Sequence, residues 1–413
     1  MSRILIVGCG FPQLSLIRAA RRRGMFVIGA DANPRAIAVG SCDAFFNVST
    51  SDVEGLVALI GSARADAVTT TGSEVSLKAT ALAAVRAGLP FYADPEIVRR
   101  CQDKDAMRAG YARAGLAVPA FARCESIAQA RDFARGRFPV VVKPSRGWGQ
   151  RAVARVEDEG QLVDAVDDAL IHSASAGLAV AIVEEWLDGR EVSVNGWVEE
   201  GRLESYCVTE RITLPGRKPL GVMIAEAYPS GLSPGEESRV VEEARRGAAA
   251  LGHTRGPCYS QVAIGERGCI LFETAARLGG GFDADVTRLA SGVDLYDRLL
   301  GIAQGDTALE RQGAVSPPHR GAIAKFLVAA PGRVGAVSGL DDARVLKGVD
   351  DAQVFVPVGG RVMPLTDSAK RAAYALAHGD SRAEAMARAD AALARIRIET
   401  HPDSDDSHLE AGA

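Results

Sequence analysis

Gln261-Val-Ala-Ile-Gly-Glu-Arg-Gly-Cys-Ile-Leu-Phe-Glu273-Thr-Ala-Ala-Arg277-Leu-Gly279-Gly280-Gly281 is the stretch whose reading decides the fold. Its apolar residues run in two short blocks separated by a Gly-Glu-Arg-Gly turn, which predicts a hairpin that runs into a glycine loop. With a strand period of two, Glu273, Ala275 and Arg277 share one face, opposite Phe272 and Thr274, and Gln261 on the partner strand can face the same side. A Gln oxygen, a carboxylate and a guanidinium converging there can hold a hard cation or clamp a planar anion. The same residues are also compatible with a solvated edge face carrying one ion pair.

The whole chain has 413 residues, of which 47% are hydrophobic, enough to bury a sizeable core in more than one lobe. A formal charge of −4 argues against a wholesale polyanion binder, so nucleic acid is not an expected partner. The start Met-Ser-Arg-Ile-Leu-Ile-Val enters a strand directly, and no apolar run reaches membrane-spanning length, which predicts a cytoplasmic protein with no membrane partner. The cysteines are 7, an odd number without Cys-x-x-Cys, and the 6 histidines show no ligand spacing, so reduced core thiols are expected in place of disulfides or zinc.

In chain order, the strand 3–7 leads into Gly8-Cys-Gly10-Phe-Pro-Gln13, a helix, the strand 26–30 and Asp31. This imitates a dinucleotide fingerprint, but Gln13 stands where its third glycine belongs. Asp31 therefore reads as a strand-end cap or a substrate contact and not as a ribose ligand. Further along, Ser73 and Glu74 open a helix whose free N–H groups could receive an anion, although capping by Ser73 is the favoured reading. Lys104 lies on a helix ending at Gly115. Residues 120–188 read as strand, helix with a Ser126-x-x-Gln129 capping box, strand 139–143, glycine loop, strand 151–156, helix 159–173 and strand 179–184. Lys143 ends an apolar strand, where burial without an anionic partner is costly, and Ser145-Arg-Gly147-Trp-Gly149 follows as a loop of small residues able to approach phosphates. Residues 192–228 read as two strands around a loop at 211–218, and a single helix is expected near 283–304.

Three stretches, 139–151, 183–191 and 261–281, together resemble the ATP-grasp superfamily of carboxylate–amine ligases, and the resemblance covers nearly the whole chain. Glu-x-x-x-Arg-x-Gly-Gly after a Gln-bearing hairpin is similar to that family's metal-binding hairpin, with Ala275 in the position usually held by Asn. Ala-Arg-Leu-Gly-Gly-Gly is similar to members of the L-amino-acid-ligase kind, and the C-terminal part resembles the biotin-carboxylase-like branch.

The resemblance implies an α/β and α+β multidomain chain: an N-terminal Rossmann-like domain (1–119), an ATP-grasp lid (120–188), a central subdomain with the metal hairpin (189–315), a C-terminal lobe (316–400) after a Ser-Pro-Pro-His linker, and a disordered tail (401–413). It implies ATP held by Lys104, Lys143, Ser145, Gly147, Gly149, Glu184, Glu185, Leu187 and Glu191, with Glu191 on the ribose. It further implies Mg2+ (or Mn2+) on Gln261 and Glu273, catalysis by Arg277, and substrate contacts from Arg277, Gly279, Gly280, Ser73 and Glu74. The expected reaction joins a small-molecule carboxylate, an amino acid, to an amine through an acyl phosphate, releasing ADP and phosphate. A purine-pathway-type ligase using bicarbonate or formate, and a nucleotide-binding regulator without catalysis, remain the alternatives; a homodimer is left open.

Overall fold

The computed structural model describes residues 1–215, 220–306 and 320–402. Its N-terminal part is a parallel sheet in the order Ala44–Phe46, Phe26–Ala30, Arg3–Val7, Ala67–Thr69. Ile4 and Ile6 pack into one core cluster and Leu5 and Val7 into another on the opposite face. Helices cover both faces, which is why the strand 3–7 is an unbroken apolar run.

The lid is a four-stranded antiparallel sheet ordered Phe121–Cys124, Ala181–Glu185, Val140–Pro144, Ala154–Val156, backed by the helices Ile127–Ala134 and Glu159–Ser175. The Ser126 hydroxyl caps the Gln129 N–H, while the Gln129 side chain accepts from Glu125, one residue earlier than a capping box requires. The strand expected at 151–156 is shorter, because Gln150 (φ 61°) and Ala152 (φ 53°) adopt left-handed conformations that fold 149–152 into a turn.

The largest sheet has eight strands, in the order Gly268–Ala275, Gly256–Gly265, Arg190–Glu199, Arg202–Thr213, Met223–Tyr228, Gly321–Leu327, Ala373–Gly379, Val349–Val354. Strands on either side of residue 316 therefore belong to one sheet, with Met223–Tyr228 pairing directly with Gly321–Leu327. Periodicity identifies strands but says nothing of which distant edge they join. Residues 192–228 contain three strands where two were expected, since a turn at Glu200 (φ 50°) and Gly201 (φ 76°) divides the first stretch; Arg211–Thr213 of the expected loop continue the second strand, and residues 216–219 lie outside the described residues. So do the Ser316–His319 linker and residues 403–413 of the expected tail, whose first residue, His401, instead ends the strand Arg397–His401.

The helix expected at 283–304 is two, Asp283–Ser291 and Leu295–Ala303. Gly292 ends the first in a left-handed turn (φ 78°), and Asp294 restarts the second by accepting from the Tyr296 and Asp297 N–H groups. All seven cysteines are free thiols, five of them buried. Among the described residues no helix is long and apolar enough to cross a membrane.

Candidate active site

One cavity of about 1040 Å³ runs between the N-terminal sheet, the lid, the eight-stranded sheet and the segment 368–371. At the lid end, Lys143 is buried at the end of its strand and forms an ion pair with Glu184. Arg108 reaches the same carboxylate, Nη2 to Oε2 at 3.0 Å, and donates through Nη1 to the Phe272 carbonyl at 2.6 Å. Burial drives Lys143 down to about 8, against the pull of Glu184. Burial raises Glu184, but Arg108 and Lys143 outweigh it and hold the carboxyl at about 2. Two cations thus share one carboxylate, leaving a net positive charge in a buried place, which suits a phosphate.

Lys104 donates to the Gly147 carbonyl at 3.2 Å, tying the helix Lys104–Arg113 to the glycine loop. Gly147, Gly149, Glu184, Glu185, Leu187 and Glu191 all line the cavity. Ser145 does not. It is fully buried, its hydroxyl donating to Asp105 Oδ1 at 2.9 Å, so this side chain staples the strand end to the helix and is not placed to touch a ligand. Glu185 also turns its carboxylate outward, to the Ala120 N–H and Arg267. Glu191 pairs with Arg211 at 3.4 Å.

On the hairpin, Gln261 and Glu273 are direct cross-strand partners, and both line the cavity. The Gln261 amide nitrogen donates to the Tyr259 hydroxyl at 3.0 Å, which leaves its carbonyl oxygen as the acceptor beside Glu273. Burial raises the Glu273 carboxyl, yet Lys104, Arg277, Arg211 and Lys143 together hold it below its ordinary range. Two hard oxygen donors of this kind fit a magnesium ion that takes its other ligands from phosphate and water. Ala275, fully buried opposite Tyr259, offers no donor, and among the described residues no three His, Cys, Asp or Glu side chains gather as a metal cage.

The strand stops at Ala275, so Arg277 lies just beyond it and is brought back beside Glu273, Nη2 to Oε1 at 4.0 Å. Its Nε donates to Glu74 at 2.5 Å. Glu74, expected as a substrate contact, is therefore the partner that aims Arg277; its second oxygen is buried without a hydrogen bond among the described residues. Ser73 occupies the N-cap position of Glu74–Ala87, but its hydroxyl makes no capping bond, contrary to the favoured reading, and lines the cavity instead. Gly280 also lines it, and a Cβ there would stand 2.7 Å from the Gly72 carbonyl, so glycine lets the two loops meet. Gly279 is packed against Asp283 and does not line the cavity.

In the first loop, Gln13 fills the space a third glycine would leave. Its Oε1 accepts from Gly10 at 3.2 Å and its Nε2 donates to the Thr71 carbonyl. Asp31 caps the strand end, accepting from the Cys9 and Asn33 N–H groups at 2.8 Å each.

Sequence reasoning passed over Arg108, Arg211, Tyr259, Asp283 and Arg371, all within or beneath the cavity. Arg211 and Tyr259 sit at cavity-facing positions of alternating strands and were accessible to a period-two argument. Arg371 follows a short turn and carries no periodic signal.

A lid with a glycine loop closing over a lysine-lined cleft, and a hairpin presenting hard oxygen donors at its floor, define an ATP-grasp fold. The chain carries that domain: residues 136–285 match the ATP-grasp domain and residues 325–401 match the L-amino acid ligase C-terminal domain 2. Over 97% of its length it superposes on an L-amino acid ligase from Bacillus licheniformis, covering 99% of that chain with a TM-score of 0.79 at 19% identity. It superposes over 99% on biotin carboxylase from Campylobacter jejuni, covering 94% of that chain, at TM-score 0.77 and 19% identity. At these identities the likeness establishes the fold. Among curated proteins it is 28% identical over 316 residues to the uncharacterised protein y4rH of Sinorhizobium fredii, covering 76% of this chain and 64% of that one. It is 27% identical over 319 residues to a phosphoribosylamine–glycine ligase of Phenylobacterium zucineum, covering 71% of this chain and 73% of that one.

Proposed function

We propose that the protein is an ATP-dependent carboxylate–amine ligase whose acid substrate is an amino acid and whose product is a dipeptide or amide. The observation that carries this reading is the position of Arg277. It stands beside the carboxylate Glu273 on one side and Glu74 of the N-terminal sheet's helix on the other, within a single cavity. The lid end of that cavity has the charge for a nucleotide, and in this reading Arg277 meets its outer phosphate and the second substrate.

In this mechanism Lys143 and Lys104 hold phosphate oxygens and Glu191 takes the ribose hydroxyls. Residues 184–187 pass beside the base, and the loop 147–149 covers the phosphates and keeps water out. Glu273 and Gln261 would hold magnesium, which when bound offsets charge on the outer phosphates. Arg277 orients the substrate carboxylate. Its oxygen bonds to the γ-phosphorus as the bridging P–O bond to ADP breaks, giving an acyl phosphate. The amine nitrogen then bonds to the acyl carbon, and phosphate departs with the C–O electron pair while the amine proton passes to water. Arg277 stabilises the oxyanion between these steps, a role worth about 3–4 kcal/mol for a single donor.

The test is phosphate release from ATP over pooled amino acids, followed by mass spectrometry of the products. Condensation products with stoichiometric phosphate are expected. Turnover without dependence on an amine would favour a ligase using bicarbonate or formate, and no turnover with any acceptor would leave a nucleotide-binding regulator, the role that Ala275 in the metal strand would then explain.

A further inference from the structure

Three buried guanidiniums line the cavity: Arg211, Arg277 and Arg371, exposed by only 7%, 9% and 4%. Arg211 is paired with Glu191, and Arg277 with Glu74 and Glu273. Arg371 has no carboxylate partner among the described residues. Its Nε and Nη2 both donate to the Met223 carbonyl, at 3.1 and 2.7 Å, and Nη2 also reaches the Ser368 hydroxyl at 3.4 Å. The plane of the fork lies over the Phe326 ring, 3.8 Å from its centroid. Its position is therefore fixed by packing and a backbone carbonyl while one Nη has no hydrogen-bond partner among the described residues.

Burying a guanidinium without an anion is expensive, and here the expense is visible: burial, with Arg211 adding to it, pulls Arg371 down to about 9 despite Asp283 and Glu226 nearby. Those two carboxyls do not pair with Arg371. Glu226 is fully buried, and burial together with Asp283 pushes its carboxyl up to about 8, so it is largely protonated near neutral pH. With Arg211 paired to Glu191, the other acidic side chain near Arg371 is Asp283, which forms no ion pair with it among the described residues and whose Oδ2 is already held by the Gly281 N–H at 2.8 Å. The Met223 side chain, whose carbonyl anchors Arg371, packs on Gly281 in the loop that follows Arg277. Through Met223, Arg371 is thus linked to the loop 279–281 that follows Arg277.

We propose that Arg371 binds an anionic oxygen group of a ligand in this cavity, carboxylate or phosphate. Resting on the ligase reading, this is either the free carboxylate of an amino acid acting as the amine substrate, or the terminal phosphate of the nucleotide. In the first case the products are dipeptides with a free C-terminus and not simple amides. Arg371 is a binding residue contributed by the C-terminal domain.

The experiment compares the full chain with Arg371→Gln and Arg371→Lys, each checked for a wild-type circular dichroism melt. Mg-ADP and the Mg complex of a non-hydrolysable imido analogue of ATP are titrated calorimetrically. In parallel, thermal shift with that analogue present is read for a pool of amino acids and a pool of their α-carboxamides. The condensation assay is run with both pools competing, and the ratio of free-acid to amide products is measured by mass spectrometry.

If the carboxylate is the ligand, Arg371→Gln lowers stabilisation by amino acids but not by carboxamides, and shifts the product ratio toward amides by about tenfold or more, while both nucleotides bind as in wild type. If phosphate is the ligand, the imido analogue binds about tenfold more weakly and ADP is unaffected. Arg371→Lys recovers part of either loss, since the charge is kept but the fork is not. A folded Arg371→Gln variant unchanged in all of these readouts overturns the proposal. The binding arms need no turnover, so failure of the ligase reading would appear separately, as wild-type protein that makes no condensation product.

Discussion

Arg277 and Glu74 stand 203 positions apart in the chain and meet as a buried ion pair, Nε to Oε1 at 2.5 Å, each side chain 10% exposed. The pair connects the first turn of a helix in the N-terminal sheet to the segment leaving the hairpin strand. Glu273 approaches the same guanidinium from the other side at 4.0 Å, so Arg277 is held between two carboxylates.

Because a guanidinium can grip two oxygens at once and an ammonium cannot, Arg277→Lys is expected to cut turnover by roughly 100-fold or more. ATP affinity should stay within a few-fold of wild type, because the lid-end contacts are untouched. Steady-state kinetics beside calorimetry checks both numbers; near wild-type turnover would reduce Arg277 to a structural ion-pair partner.

Nucleotide binding is expected to depend on Lys143 and hardly at all on Asp31. Lys143→Ala removes one of the two cations around Glu184, whereas Asp31 is occupied with two backbone N–H groups of its own loop. Calorimetric titration of the two variants gives the order, and a stronger loss from Asp31→Ala would move the nucleotide to the first loop.

The Lys143 value of about 8 gives a pH signature. The ammonium is charged below that value and neutral above it, and a bound phosphate favours the charged form. Binding of Mg-ADP should therefore draw a proton onto the protein near pH 8.5 and almost none near pH 7. The slope of binding enthalpy against buffer ionisation enthalpy measures the uptake, which Lys143→Arg should abolish.

Attack at the γ-phosphorus requires ADP and phosphate as products. Ion-exchange chromatography of a completed reaction should show both; AMP with pyrophosphate would mean attack at the α-phosphorus and a different alignment of substrate with Arg277.

The lid is tied to the C-terminal domain, Ser368 N–H to the Gly149 carbonyl at 2.9 Å and Arg151 Nε to Asp367 at 3.5 Å, across the left-handed turn at Gln150 and Ala152. Such strained residues persist where neighbours hold them. Asp367→Ala is expected to raise KM for ATP by about threefold to tenfold with little change in kcat. An unaltered KM would show that the turn closes without this contact.

Much of this was legible in the chain as written. The apolar run 3–7, the lysine at the end of 139–143 and the Gln261–Glu273 hairpin follow from local period and from the cost of burying polar groups, both of which act over a few residues. The local sequence was also enough to show that Gln13 breaks the first fingerprint. Tertiary structure alone decided which carboxylate each buried cation meets. Glu184 gathers Lys143 and Arg108, Glu74 aims Arg277, Ser145 turns away from the cavity to bind Asp105, and Arg371 enters the cavity from the C-terminal domain with no carboxylate of its own among the described residues. The reason is physical: a side chain's periodicity sets the face on which it lies, but its charge partner is whatever the folded chain brings within a few ångströms, and here Lys143, Arg108 and Arg277 meet Glu184, Glu184 and Glu74 from 41, 76 and 203 positions away.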